Sequence, residues 1–267
     1  MSGQSNKLSA RPRLKVVKIG GNVVDNPEAL RKFIKDFAAL EGPKILVHGG
    51  GKEATRLSAK LGIETKMIEG RRVTDAATIE VVTMVYAGLV NKRIVSLLQA
   101  EGCDSIGLSG ADGNVIKAVK RKPEPVDYGF VGDIPAEGVN VKFIRTLLDG
   151  GLTPVFCAIM HDGKGQALNC NADSVASALA TACTSFADVE LCYCFEKEGV
   201  MADVDDPSTV IPLIDKKSYN SLKESGVINS GMIPKIDNAF KAIERGVKSV
   251  IIKNSAKLGE PSGTVIK

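Results

Sequence analysis

Residues 14–19 form an apolar run that stops at Gly20-Gly21, and residues 45–47 form a second that passes through His48 into Gly49-Gly50-Gly51. Each glycine stop hands over to a helical pattern. Asn26-Pro27 reads as an N-cap followed by proline at the first helical position, and Leu30, Phe33, Ile34 and Phe37 then recur at helical spacing as far as residue 40. Residues 52–61 carry another helical stretch. Short apolar runs without polar alternation suit strands buried on both faces. Strand, glycine loop and helix repeated in that order predict a mostly parallel sheet covered by helices on both sides.

The alternation continues to the end of the chain. Thr74 is expected to cap a long helix through residue 98, broken near Gly88, and residues 105–108 read as a strand. Residues 114–134, with their prolines and Tyr128-Gly129, read as hairpin material over the sheet edge. Strands are expected at 153–157, 189–193 and 249–252, with a final edge strand at 263–266. Helices are expected at 141–148, 172–183, 218–224 and 232–245. No linker rich in Pro, Gly or Ser divides the chain. The expected fold is a three-layer α/β/α sandwich around a sheet of about eight strands, spanning residues 14–267 as one domain behind a flexible segment, 1–13.

Composition narrows the function. With 44% hydrophobic and 25% charged residues, the 267-residue chain can bury a sizeable core, which excludes a disordered or fibrous protein. Its 35 basic and 31 acidic residues are dispersed, so small anions are expected as partners and nucleic acid is not. The six cysteines lie mostly in apolar stretches of a chain too large to need disulfides, which suits a reduced, cytoplasmic setting. Cys192 and Cys194 read as core packing, and with two histidines in the chain no metal cage is expected. Residues 1–13 lack an apolar core of the signal-peptide kind, and there is no 18-residue uncharged apolar run; neither export nor a membrane span is expected.

Glycines after buried strands let backbone N–H groups approach an anion, and a following helix favours phosphate there. Two such loops suggest two anionic ligands. Neither is a standard signature: Gly49-Gly50-Gly51-Lys52 is followed by Glu53, where a Walker A loop has Ser or Thr, and no G-x-G-x-x-G occurs. Taken singly, each loop also reads as a tight turn.

Several motifs together, in one order, decide between these readings. They are Val17-Lys18-Ile19-Gly20-Gly21, Val47-His48-Gly49-Gly50-Gly51, Gly70-Arg71-Arg72-Val73-Thr74, Gly107-Leu108-Ser109-Gly110-Ala111-Asp112-Gly113, Gly129-Phe130-Val131-Gly132-Asp133, Asn169-Cys170-Asn171-Ala172-Asp173 and Gly231-Met232-Ile233-Pro234-Lys235. This set resembles the amino-acid kinase family, and within it the N-acetylglutamate kinase branch, over about residues 14–267. The resemblance implies transfer of the γ-phosphoryl group of ATP to the side-chain carboxylate of an N-acyl-L-glutamate. The acceptor would lie over the N-terminal half and ATP, with its Mg²⁺, over the C-terminal half. Such a nucleophile is already ionised at neutral pH, so positioning and charge stabilisation are what the protein must supply.

By the same resemblance Lys18 contacts the transferring phosphoryl group, Gly20 and Gly21 donate N–H groups to phosphates, Lys235 stabilises the leaving side and Asp173 holds the two lysines. Gly231 and Glu196 belong to the nucleotide side, Glu196 replacing the usual aspartate. Arg72 takes the acceptor α-carboxylate, with Gly50, Gly51 and Asn169 beside it. From the residues alone, Lys18 also reads as a snorkelling strand lysine, Lys235 as an exposed helix lysine and Asp173 as a helix cap. Arg71 reads as a solvated charge and His48 as a structural hydrogen-bonding residue.

Alternatives with the same fold are N-succinyl-L-glutamate, aspartate, glutamate, carbamate or a nucleoside monophosphate as acceptor, or a non-catalytic amino-acid-binding protein. A dehydrogenase is a further alternative. The apolar residues Val81, Val82, Met84, Val85, Leu89 and Val90 suggest a homodimer or a central core helix. Arginine-sensitive members of the family form hexamers through an N-terminal helix, which residues 1–13 are too short and polar to supply, so insensitivity to arginine is expected.

Overall fold

The computed structural model describes residues 11–203, 205–228 and 232–267. The chain enters the sheet as β1 (Arg13–Ile19), turns through the short helix α1 (Gly21–Asp25) into α2 (Pro27–Ala38), and returns as β2 (Lys44–His48) before α3 (Gly51–Lys60). A tight hairpin, β3 (Met67–Ile68) and β4 (Arg71–Arg72), leads into a continuous rod made of α4 (Ala76–Thr83), a π-helical stretch (Met84–Val90) and α5 (Asn91–Ala100). After β5 (Ser105–Leu108) come the hairpin β6 (Val119–Lys120) and β7 (Gly132–Asp133), helix α6 (Val141–Asp149) and β8 (Thr153–Phe156). A further hairpin, β9 (Ile159–His161) and β10 (Ala167–Asn169), precedes α7 (Ala172–Cys183) and β11 (Asp188–Phe195). The remainder is β12 (Leu213–Ile214), α8 (Lys216–Glu224), α9 (Ile233–Glu244), β13 (Ser249–Asn254) and β14 (Thr264–Ile266).

Eight of these strands form one sheet in the order β12-β14-β13-β11-β1-β2-β8-β5, parallel except where β14 runs against β13. Alternate side chains of the central strands feed two cores, one on each face. Val16 joins Leu179, Ile236 and Phe240 on the α7 and α9 side, whereas Val17 and Ile19 join Phe33, Val82 and Leu98 on the other. Helix α2 shows why these residues form these elements. The Asn26 side chain accepts hydrogen bonds from the Glu28 and Ala29 N–H groups at 3.0 and 3.1 Å, Pro27 opens the helix, and Leu30, Phe33, Ile34 and Phe37 are all buried. Truncating Phe33 to alanine would cost about 3–5 kcal/mol, the usual penalty for a large cavity.

The structure revises several expectations. Thr74 does not cap the long helix: its N–H donates to the Tyr128 carbonyl and its hydroxyl to the Arg72 carbonyl, and Asp75 caps instead by accepting from Thr78 N–H at 2.8 Å. The helix is not broken at Gly88, because the π turn absorbs it. Residues 264–266 are not the sheet edge, since the two-residue strand β12, too short to leave a periodic signal, adds outside them. Order begins before residue 14: the Pro12 carbonyl accepts from Asp188 N–H at 2.9 Å and Arg11 donates to the Thr184 carbonyl. The rest of the expected flexible segment, residues 1–10, lies outside the described residues.

By length and composition the rod from residue 76 to residue 100 could cross a membrane. Its Ile79, Val82, Val85, Val90, Ile94 and Leu98 are instead buried against α2 and the sheet, as a core helix requires. All six cysteines are free and buried, with Cys192 and Cys194 side by side on β11.

Candidate active site

β1 lies in mid-sheet, with β11 on one flank and β2 on the other, so loops leaving the ends of these strands open a crevice, the usual ligand position in open α/β sheets. Lys18 stands near the end of β1, 8% exposed, with its ammonium 2.8 Å from the Asp173 carboxylate. Asp173 is free for this because Asn171 caps α7, accepting from Asp173 N–H at 2.7 Å and Ser174 N–H at 3.3 Å. The capping alternative for Asp173 is thereby replaced by an ion pair in the first turn, where the helix also favours a carboxylate.

Lys235, in the first turn of α9, reaches the same place. Its ammonium is 4.0 Å from the centre of the Phe195 ring, and that of Lys18 is 5.0 Å from it. Burial lowers the Lys235 pKa, the Lys18 charge pushes the same way, and Asp173 opposes both. Two cations are held together by one anion and one aromatic face. Lys18, Asp173 and Lys235, distant in sequence, are brought together around the Phe195 ring.

Beside Lys18 is a cavity of about 180 Å³ that Gly20, Gly21, Phe195 and Glu196 help to line. Within it the glycines differ. Gly20 N–H donates to the Cys194 carbonyl at 2.9 Å and so extends the strand ladder, leaving it committed, contrary to the expected phosphate contact. Gly21 opens α1, so its N–H has no acceptor within that helix. Glu196 is fixed through its carbonyl, which accepts from Asn254 at 3.0 Å. Gly231 lies outside the described residues.

A second cavity, about 230 Å³, lies across Ala172 and is lined by Gly50, Gly51, Arg72 and Asn169. Arg72, 8% exposed, donates from Nη2 to the Gly51 carbonyl and the Thr55 hydroxyl, both at 2.8 Å, and from Nη1 to the Thr65 hydroxyl at 3.2 Å. The β3–β4 turn has positive φ at Glu69 and Gly70, and it sends neighbouring strand side chains to opposite faces. Arg72 is thus buried while Arg71 is exposed. Arg71 nevertheless lines the cavity, which its reading as a plain solvated charge missed. Asn169 donates to the Thr74 hydroxyl at 3.1 Å.

Two further lining residues gave no local signal. Arg121 arrives through the β6–β7 pairing and is salt-bridged to Asp133, whose carboxyl it holds below its usual range. Tyr86, on the π stretch, packs where a Cβ on Gly50 would fall, 2.8 Å from its Cδ1; burial raises its pKa and the nearby Arg72 charge opposes that rise. The only sequence hint of Tyr86 was a polar-tipped aromatic in an apolar helix. Together the cavities offer one buried guanidinium for a carboxylate, a glycine loop on each side, and paired ammonium groups between them.

The profile of the amino acid kinase family matches residues 13–254. The chain belongs to the amino acid kinase family. Among its relatives, the acetylglutamate kinase of Phocaeicola vulgatus is 52% identical over 257 residues, covering 96% of this chain and 99% of that protein. The acetylglutamate kinase of Cytophaga hutchinsonii is 54% identical over 250 residues, covering 93% and 94%. Among solved structures, smu.665 from Streptococcus mutans superposes with a TM-score of 0.77 at 28% identity, covering 95% of this chain and 98% of that one. Family membership accounts for the eight-stranded, mostly parallel sheet.

Proposed function

We propose that this chain transfers the γ-phosphoryl group of ATP to the γ-carboxylate of N-acetyl-L-glutamate. The observation that carries the reading is the Lys18–Asp173 pair with Lys235 beside it. Lys18 lines the glycine-loop cavity, while Asp173 sits between Ala172 and Ser174, which line the Arg72 cavity. Arg72 takes the acceptor α-carboxylate, Gly50 and Gly51 face its other polar groups, and Asn169 suits its amide. A carboxylate oxygen attacks the γ-phosphorus, the bond to the β-phosphate oxygen breaks, and ADP departs with the electron pair, leaving an acyl phosphate. No proton need move. Lys18 and Lys235 meet the charge spread over the transferring and leaving oxygens, and Asp173 holds Lys18 in place.

Mg²⁺ enters with ATP as the substrate complex. The donor set fits that route: among the described residues no group of three or more His, Cys, Asp or Glu is placed to hold an ion, and Asp173 is committed to Lys18. Phosphate oxygens and water then supply its ligands.

One observation favours a second acceptor. N-Acetylglutamate has a single carboxylate away from the phosphoryl group, yet Arg71 and Arg121 line the cavity in addition to Arg72. An N-succinyl group, with a distal carboxylate, would use that charge. Trapping the acyl phosphate as its hydroxamate, with both acylglutamates and with free glutamate and aspartate, tests both readings; no product from either acylglutamate would overturn them. Working as a cytoplasmic homodimer belongs to the same proposal, supported by Met84 and Leu89, 53% and 47% exposed on the helical rod. Light scattering with an arginine titration of activity tests it, and an arginine-inhibited hexamer would overturn it.

A further inference from the structure

Behind the acceptor loop lies a buried polar chain whose two side chains, Asn91 and His48, line neither ligand cavity and which ends on Gly49 at the edge of the Arg72 cavity. Asn91 and His48 are both 0% exposed. The Asn91 side-chain nitrogen is 3.0 Å from the Val155 carbonyl and 3.0 Å from His48 Nε2, and His48 Nδ1 is 2.7 Å from the Gly49 carbonyl.

We propose that Asn91, acting through a neutral His48, is a positioning residue for the acceptor loop. It fixes the imidazole tautomer that ties down the Gly49 carbonyl, and so sets the direction of the Gly50 and Gly51 amides. The inference rests on the reading of the Arg72 cavity as the acceptor site.

Donor and acceptor arithmetic leaves one arrangement. An amide nitrogen only donates, so its two hydrogens go to the Val155 carbonyl and to His48 Nε2. Nε2 is then the lone-pair nitrogen, and the proton sits on Nδ1, which donates to the Gly49 carbonyl. A flipped amide would set Oδ1 against the Val155 carbonyl and give up the Lys92 ammonium, now 3.3 Å from Oδ1. Burial holds the His48 pKa at about 4, with the Lys92 charge acting in the same direction, so the ring stays neutral at working pH.

Two neighbours are shaped to this chain. A Cβ on Gly107 would fall 1.9 Å from Asn91 Oδ1, which explains a glycine inside strand β5. The π stretch ends at Asn91, whose N–H returns to the Tyr86 and Gly88 carbonyls, and the same rod lays Tyr86 and Val90 against Gly50. The rod therefore holds the loop twice, by packing on Gly50 and through the hydrogen bond from Asn91 to His48, whose other ring nitrogen reaches the Gly49 carbonyl. Buried polar groups of this kind are costly unless fully paired, so losing one link is felt along the chain.

The first test uses the wild-type tautomer. The chain has two histidines, and His161→Gln leaves His48 as the single imidazole in ¹⁵N-histidine NMR spectra of the full-length protein. A protonated Nδ1 and unprotonated Nε2, unchanged from about pH 8 to pH 6, are expected from a pKa of about 4. An Nε2–H tautomer or an imidazolium at neutral pH overturns the proposal. The second test is kinetic. Asn91→Asp, which cannot donate to Nε2, and Gly107→Ala, which displaces Asn91, should each raise acceptor KM roughly tenfold, with ATP KM changed less than about twofold. Unchanged acceptor KM in a folded Asn91→Asp protein overturns it, and Gly107→Ala decides if that variant does not fold. Should wild type phosphorylate no acylglutamate, the acceptor reading fails by itself, while the tautomer still reports on the chain.

Discussion

The Lys18 ammonium and the Asp173 carboxylate meet at 2.8 Å across the join between β1 and the first turn of α7, over a Phe195 ring that Lys235 approaches from α9. Lys18 comes from the central sheet and Asp173 from the helix that follows the separate β9–β10 hairpin, while the β1–β11 register places the aromatic ring beside them. That register pairs Lys18 with Tyr193 and puts Phe195 just beyond the end of β1. In the proposed mechanism, removing either ammonium strips a preorganised donor from the transferring group. Lys18→Ala and Lys235→Ala are each expected to lower kcat by at least ~10²-fold in a steady-state ADP-release assay. Near-normal kcat for Lys18→Ala would remove the glycine-loop cavity from the phosphoryl site.

The role proposed for Arg72 is in binding. Its three hydrogen bonds to Gly51, Thr55 and Thr65 aim the guanidinium into the cavity before any ligand arrives. Arg72→Ala should raise acceptor KM by roughly 10- to 100-fold while changing kcat far less, the pattern for a charge-assisted contact made equally in ground and transition states. Exposed Arg71, on the opposite face of β4, should matter less for N-acetylglutamate. A larger loss from Arg71→Ala than from Arg72→Ala would reverse the assignment.

The parallel sheet was legible because strand, glycine loop and helix repeat in a local pattern, whereas Lys18, Asp173 and Lys235 were singled out by the ordered motifs of the family resemblance. Lys18 breaks an apolar strand just before two glycines, but Asp173 read locally as a helix cap, the place that Asn171 takes in the structure. Arg121 was not legible. A hairpin was expected over residues 114–134, but its two-residue strands carry no periodic signal of register or of which side chain reaches the cavity. The same holds for β12. Gly20 misled for another reason: glycine after a strand signals close backbone approach, but not whether the partner is a ligand or, as here, the Cys194 carbonyl.

Asp173 also sets a pH limit. Its negative charge raises the Lys235 pKa against burial and against Lys18, which both lower it. Replacing it with asparagine removes the supporting charge, so Lys235 should lose its proton at lower pH. The alkaline limb of the kcat profile is therefore expected to move toward neutrality in Asp173→Asn, on top of reduced activity. A limb that stays in place, measured across about pH 7–10, would mean that Lys235 does not report in that profile.

His48 makes stability depend on pH. Its pKa falls from 6.5 to about 4 on folding, so between these values the unfolded chain binds a proton that the folded chain refuses. The unfolded state then holds more protons, and stability rises with pH across this window and is lost as pH falls through it. The full shift corresponds to about 3 kcal/mol. Carboxylates titrate in the lower part of the window as well, so the comparison must be with a variant lacking only the imidazole. Urea unfolding of wild type and His48→Asn at several pH values provides it. Wild type should lose roughly 1–3 kcal/mol more than the variant between pH 7 and pH 4.5. Parallel stability curves would show that the imidazole takes up a proton without cost and is not held neutral between Asn91 and Gly49.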